Sequence, residues 1–283
     1  VVRDNIAGGN RVTTGRQVPF CVNTNDCLGR RDFLRLTTVS VAAGLLASAP
    51  LAKAAAHSKI KAIAFDAFPI FDPRPVFALA EEFFPGRAAE LGNEWRTRQF
   101  EYTWLRTVSG SYVDFWQVTE DALHYAAKKV KIGMSQGQVS QLMDGYLNLK
   151  SWPDVAPALR LLKMEGIRMV LLSNFTSHMM NSCVMCSGLG DIFEGLLSTD
   201  QVKAFKPDPK AYEMGIKAFD LDREEILFVA HGGWDAAGAK IFGYPTYWVN
   251  RLSLPPEELG VMPDGTAADL KGLAHFLQSR NSQ

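Results

Sequence analysis

The chain has 283 residues, of which 47% are hydrophobic, with thirty Lys and Arg against thirty Asp and Glu. That length allows one large domain or two smaller ones, and the apolar fraction is ample for a packed core. Balanced charge, with no basic stripe interleaved with aromatics, argues against a nucleic-acid binder and for small-molecule chemistry.

The first 54 residues differ from the rest. Gly29-Arg30-Arg31-Asp32-Phe33-Leu34-Arg35 precedes an uncharged Ala-, Ser- and Thr-rich stretch over residues 36–52, too short and too weakly apolar for a membrane span. It ends in Ala52-Lys53-Ala54, a small-x-small pattern. This pattern resembles a twin-arginine export signal over residues 1–54, cleaved after Ala54, and the expected location is the periplasm. A basic anchor helix is the alternative reading. Residues 1–28 are expected to be an extension outside the fold. The segment 1–54 carries seven basic and three acidic residues, so the remainder is mildly acidic.

Ile60-Lys61-Ala62-Ile63-Ala64-Phe65 is a short apolar run that ends on Asp66. It predicts a buried strand with Asp66 at its carboxyl end, where open α/β sheets place their sites. A strand-end aspartate can act as a nucleophile. Phosphate-transferring relatives of this arrangement place a second acid two residues on, beside Mg²⁺; Phe68 stands there instead, which argues against phosphate chemistry and a metal site. After a turn through Pro69, Asp72, Pro73 and Pro75, helical periodicity runs over residues 76–84, 88–108, 112–130 and 135–149. Four consecutive helices predict a cap inserted over residues 73–150, and Ser151-Trp152-Pro153-Asp154 marks the return to the core. Apolar runs at 168–174, 195–199, 226–230 and 245–249 alternate with helical stretches, which is βαβ order and predicts a Rossmann-like parallel sheet over 58–72 and 151–280. Right-handed crossovers would gather Asp66, Ser173, Asn174, Lys206 and the stretch from His231 to Asp235 on one sheet edge, beneath the cap. Cys183-Val184-Met185-Cys186 has CxxC spacing without a second pair to complete a metal site. It reads as two half-buried helix cysteines or, in an oxidising compartment, as a disulfide.

These segments together resemble the L-2-haloacid dehalogenases of the haloacid dehalogenase superfamily. The resemblance rests on Ala64-Phe65-Asp66 with Phe71-Asp72, on Trp95-Arg96-Thr97-Arg98-Gln99 leading into Glu101-Tyr102-Thr103-Trp104-Leu105-Arg106, and on Leu172-Ser173-Asn174. Lys206-Pro207-Asp208 with Tyr212, and Ile226-Leu227-Phe228-Val229 before Trp234-Asp235, complete it. It implies an α/β haloacid-dehalogenase-like core with a helical cap after the first strand, and a hydrolase acting on carbon-halide bonds without a cofactor. The expected partners are a small 2-haloacid and halide, and the family makes a homodimer unsurprising. By the resemblance Asp66 attacks the halogen-bearing carbon, expels halide and forms an ester that water then opens to a 2-hydroxyacid of inverted configuration. Lys206 supports the nucleophile's charge, Arg96 and Asn174 take the halide, Ser173 holds the substrate carboxylate, and Tyr212, beside the lysine, is expected among the substrate-binding residues. Phe68, Phe115 and Trp234 are expected pocket walls.

Two departures bear on activity. The family's Tyr-Gly-Thr-Leu turn after the nucleophile reads Phe68-Pro69-Ile70-Phe71 here, so a hydroxyl is missing. The family's Ser-Ser-Asn before the Trp-Asp pair becomes Ala230-His231-Gly232, with Asp235 retained. His231 and Asp235 are expected to position the hydrolytic water together, or His231 points away from the pocket. These losses also admit a second reading, a retired protein that binds small carboxylates without turning them over.

Overall fold

The computed structural model describes residues 59–282; the export signal and the extension before it lie outside the described residues. Six parallel strands form one sheet in the order β3-β2-β1-β4-β5-β6. They are β1 (Ala62–Phe65), β2 (Arg168–Ser173), β3 (Gly195–Ser198), β4 (Ile226–Ala230), β5 (Thr246–Val249) and β6 (Gly265–Ala267). The order in which successive strands are laid down reverses between β1 and β4, and the crevice at such a switch point is where open sheets bind ligands.

Alternate residues of each central strand bury against opposite faces, as the two-residue period of a strand requires. Ile63, Phe65, Met169, Leu171, Leu227 and Val229 join a large core continuous with the helical insert. Ala62, Ala64, Val170, Leu172, Phe228 and Ala230 face a smaller core under Tyr212 and Tyr244. Both faces are covered, so these strands read as unbroken apolar runs and not as alternating ones.

The insert comprises α1 (Arg74–Phe83), α2 (Ala88–Val108), α3 (Phe115–Lys129) and α4 (Gln136–Gly145). Its two chain connections lie side by side: Phe71 and Ser151 form an antiparallel bridge, and Asp72 N–H donates to the Lys150 carbonyl at 2.8 Å. Asp114 caps α3 by accepting from Gln117 N–H at 2.9 Å, and Ser135 with Gln138 forms a capping box on α4; such caps contribute about 1 kcal/mol each. The insert leans on the core through Thr107, whose Oγ accepts from Phe205 N–H at 3.1 Å, and through stacking of Tyr112 on Phe205 and Phe115 on Phe175. Core helices α5 (Val155–Met164), α6 (Ser177–Cys186), α7 (Pro209–Phe219), α8 (Gly233–Phe242) and α9 (Leu273–Asn281) complete the layers.

Cys183 and Cys186 sit on α6 as free thiols. The Cys183 thiol donates to the Tyr146 carbonyl at 3.3 Å, and burial pushes it up to about 12. Among the described residues no helix is long and apolar enough to cross a membrane.

Candidate active site

The end of β1 places Asp66 at the floor of a cavity of about 460 Å³ between the sheet edge and the insert. Its backbone N–H continues the sheet to the Val229 carbonyl at 3.0 Å, so the main chain at the nucleophile is held by the neighbouring strand. One carboxylate oxygen, Oδ1, accepts from Lys206 Nζ at 2.8 Å, and Oδ2 accepts from the Phe68 backbone N–H at 3.2 Å.

Behind Asp66 lies a closed charge network. Lys206 Nζ also donates to Asp235 Oδ2 at 2.7 Å, and Tyr212 OH donates to Asp235 Oδ1 at 2.8 Å. Lys206 and Asp235 are each only 1% exposed at the side chain. Burial opposes the ammonium charge more than any single contact supports it, yet Asp235 and Asp66 together hold Lys206 above its ordinary range. Asp235 is pushed up to about 6, chiefly by burial with the nearby Asp66 charge adding to it, against the Lys206 and Tyr212 contacts. Two carboxylates flanking one cation keep the lysine charged, and burial leaves Asp235 a weaker acid than an ordinary carboxyl. Gly238 on α8 makes this contact possible, since a Cβ there would meet Tyr212 OH and Pro207 Cβ at 2.7 Å.

The remaining walls come from four elements. On α2, Asn93, Arg96, Thr97 and Phe100 recur at helical spacing and line the cavity. Arg96 is exposed at the rim, donates to Asn93 Oδ1 at 3.0 Å and lies 5.2 Å from the Phe77 ring centroid; among the described residues no carboxylate pairs with it. After β2, Ser173 Oγ accepts from Phe175 N–H at 3.2 Å, which leaves its own proton to donate. Asn174 Oδ1 accepts from Lys206 N–H at 3.0 Å and from Thr199 Oγ at 3.4 Å, so its amide N–H₂ is the end offered to the cavity. Phe68, Phe115, Phe175 and Trp234 supply apolar wall, and Trp234 packs on Phe100 of the insert with ring centroids 5.2 Å apart. His231, directly after β4, also lines the cavity; its Nδ1 is buried without a hydrogen-bond partner. Burial depresses its pKa, assisted by Arg251 and Arg96 and opposed by Asp66, so the ring is neutral near pH 7.

A desolvated carboxylate held by one ammonium, with donors facing it and Phe68 in place of an acid two residues on, is equipped to attack carbon and expel an anion. A family profile of haloacid dehalogenase-like hydrolases matches residues 30–243. The chain belongs to that hydrolase family. It is 40% identical over 220 residues to haloacetate dehalogenase H-2 of Moraxella sp. (strain B), covering 77% of this chain and 98% of that protein. It is also 40% identical over 221 residues to an (S)-2-haloacid dehalogenase of Pseudomonas sp. (strain YL), covering 78% and 95% respectively. Its structure resembles that of the L-2-haloacid dehalogenase of Xanthobacter autotrophicus with chloropropionic acid covalently bound, with a TM-score of 0.72, 30% identity and coverage of 77% and 98%.

In this hydrolase the structure brings Asp66, Phe68, Arg96, Phe115, Ser173, Asn174, His231 and Trp234 around one cavity. Three expected site residues stand elsewhere. Lys206, Tyr212 and Asp235 do not line it but form the network behind the nucleophile. The expected pairing of Asp235 with His231 on a water is therefore corrected: both Asp235 oxygens are taken by Lys206 and Tyr212, while His231 faces the cavity. Tyr212 is likewise removed from substrate contact, because its hydroxyl is buried against Asp235. Sequence reading missed Phe100, Tyr146 and Arg251 among the lining residues. Phe100 was findable as the residue four after Arg96 on the same helix face. Arg251, just after β5, obeys the strand-end rule; Tyr146 carried no such signal.

Proposed function

We propose that this hydrolase converts small (S)-2-haloacids to (R)-2-hydroxyacids and halide through an ester on Asp66. The observation that carries the reading is the Asp66 carboxylate beside buried Lys206 at the floor of an apolar cavity, with Phe68 where a phosphate-transferring site needs an acid. The covalently bound chloropropionic acid in the Xanthobacter relative supports the same step.

Oδ2, the oxygen not bound by the ammonium, displaces halide from C2 in line. The Asp66 oxygen becomes the ester oxygen, and the halide leaves with the electron pair toward the Asn174 amide and the Arg96 guanidinium. Ser173 donates to the substrate carboxylate. Water then adds to the Asp66 carboxyl carbon as neutral His231 accepts one of its protons, and His231 returns that proton to the departing hydroxyacid oxygen as the ester C–O bond breaks; the second water proton leaves the Asp66 carboxyl for solvent. The product keeps the original Asp66 oxygen, and the water oxygen stays on the enzyme. Lys206, oriented by Asp235, balances the charge on Asp66 before attack and after ester opening. The intact Asp66-Lys206-Asp235 network favours turnover over the retired binding protein.

Single turnover in ¹⁸O-water tests this. Label should enter Asp66 and be absent from the first product; product taking solvent oxygen directly would replace the ester with a general-base mechanism. Export to the periplasm is part of the same proposal, supported by Arg30-Arg31 and Ala52-Lys53-Ala54. N-terminal sequencing should find Ala55 first, and an intact Arg30-Arg31 on periplasmic protein would refute cleavage.

A further inference from the structure

The turn that follows Asp66 is held by its carbonyl oxygens from a distant part of the chain. Phe68 O accepts from Trp152 Nε1 at 3.1 Å, Pro69 O from Arg251 Nη2 at 2.9 Å, and Ile70 O from the Trp152 backbone N–H at 3.0 Å. Three consecutive acceptors are thus fixed by two residues. Those residues are themselves braced. Asp154 grips Arg251 with both oxygens, at 2.9 and 3.0 Å, and also accepts from Leu270 N–H at 2.9 Å. The Arg251 and Arg74 guanidiniums lie 4.4 and 4.5 Å from the Trp152 ring centroid, and Arg74 is tied to Asp72 at 2.7 Å. The Arg251 side chain is 8% exposed, so its hydrogen bonds are shielded from water.

The brace matters because of what this turn lacks. Pro69 has no N–H, and Ile70 has no hydroxyl and is fully buried. The turn's hydrogen bond to the nucleophile comes from the Phe68 backbone, whose N–H reaches Asp66 Oδ2. Main-chain hydrogen bonds align a carboxylate only as well as the main chain is held. Phe68 carries both the donor to Asp66 and the carbonyl gripped by Trp152.

We propose that Arg251 and Trp152 are positioning residues for the displacement step, fastening the turn so that Phe68 N–H aims the attacking oxygen of Asp66. Arg251 borders the cavity, but its two terminal nitrogens are held by Asp154 and the Pro69 carbonyl, so it acts through Pro69 and the face of Trp152, which is not part of the cavity lining. The proposal rests on the reading of Asp66 as the nucleophile. A guanidinium is required because one fork must serve Asp154 and a carbonyl together while its plane stacks on the indole, which an ammonium cannot do.

Two variants test it. Trp152→Phe keeps a ring under the guanidiniums and the backbone donor but removes Nε1–H, and Arg251→Lys keeps the charge against Asp154 but removes the fork. Rapid-quench halide release from (S)-2-chloropropionate at saturation should show a burst rate constant about 10–100-fold lower, the scale expected for displacing a reacting atom by about an ångström. Burst amplitude per folded site and the position of the acid limb in the pH profile should stay as in the wild type. Hydrogen exchange at the amides of Phe68, Ile70 and Phe71 should quicken in both variants while that of Val229 does not. An unchanged rate constant, with amplitude and Tm alone reduced, overturns the proposal even if exchange quickens. Unchanged exchange in both variants overturns it too. A wild-type protein that releases no halide refutes the proposed function instead, and exchange then decides alone whether the brace exists.

Discussion

Asp235→Asn probes the network behind the nucleophile with the least change in shape. Asp235 accepts two hydrogen bonds, one from Lys206 Nζ and one from Tyr212 OH, on different oxygens. An asparagine offers one acceptor oxygen and one N–H₂, so keeping the Lys206 contact turns Tyr212 OH into an acceptor and deprives the phenolic proton of the side-chain oxygen it donated to. An unsatisfied buried group costs about 1–3 kcal/mol. A second contribution depends on pH. Burial pushes Asp235 up to about 6 in the folded protein from an ordinary 3.8, so the folded state binds more protons than the unfolded state between those values. Stability from this group therefore falls as pH rises through that window, by about 3 kcal/mol in all. Asparagine has no such dependence. The variant should be less stable than wild type at pH 4, and the gap should close by up to about 3 kcal/mol by pH 7. His231 has the opposite sign: its depressed pKa means stability gained as pH rises toward 6.5. It is common to both proteins and cancels in the difference. Urea unfolding of both proteins at half-unit steps from pH 4 to 8 gives that difference directly. A gap independent of pH would show that Asp235 is ionised throughout and would refute the shared-cation account. Burst halide release should also slow about tenfold, the equivalent of ~1.4 kcal/mol of lost Lys206 orientation.

Asp66→Ala should abolish halide release, measured with a halide electrode, while a haloacid still raises the Tm because the cavity walls are intact. His231→Ala should leave the first burst of halide unchanged but slow turnover by about 10²–10⁴-fold, the usual worth of general base catalysis. The Asp66 ester should then accumulate in the intact mass; equal loss of burst and turnover would remove His231 from hydrolysis. Because burial keeps His231 neutral below 6.5, the acid limb of wild-type turnover should lie below pH 6.5 and vanish in the alanine variant. Gly238→Ala should lower stability by about 1–3 kcal/mol through overpacking against Tyr212 and Pro207, read by urea unfolding. Chelator should leave halide release unchanged, since Phe68 replaces the acid a divalent ion would need; Mg²⁺-restored activity would refute this.

Periodicity and local chemistry alone determined the strand runs, the four inserted helices and the placement of Asp66, Ser173 and His231 at strand ends, because each depends on apolar spacing within about ten residues. The same locality made the Arg96 face of α2 legible. β6 was not, since Gly265–Ala267 is three small residues with no apolar run and becomes a strand only by pairing with β5. Residue type alone could not say which way Asp235 points either. It stands next to Trp234 on α8, yet Trp234 lines the cavity and Asp235 turns behind Asp66, a choice made by helix orientation and by the close approach of Gly238 to Tyr212. The strand-end position of Arg251 after β5 points to the sheet edge but does not name its partners. Only the tertiary fold brings it to Asp154, 97 residues away, and to Pro69, 182 residues away, and turns it into a brace on the nucleophile's turn. Short-range pattern reports what a segment can bury, whereas the partners of a buried polar group are set by the docking of segments remote in sequence.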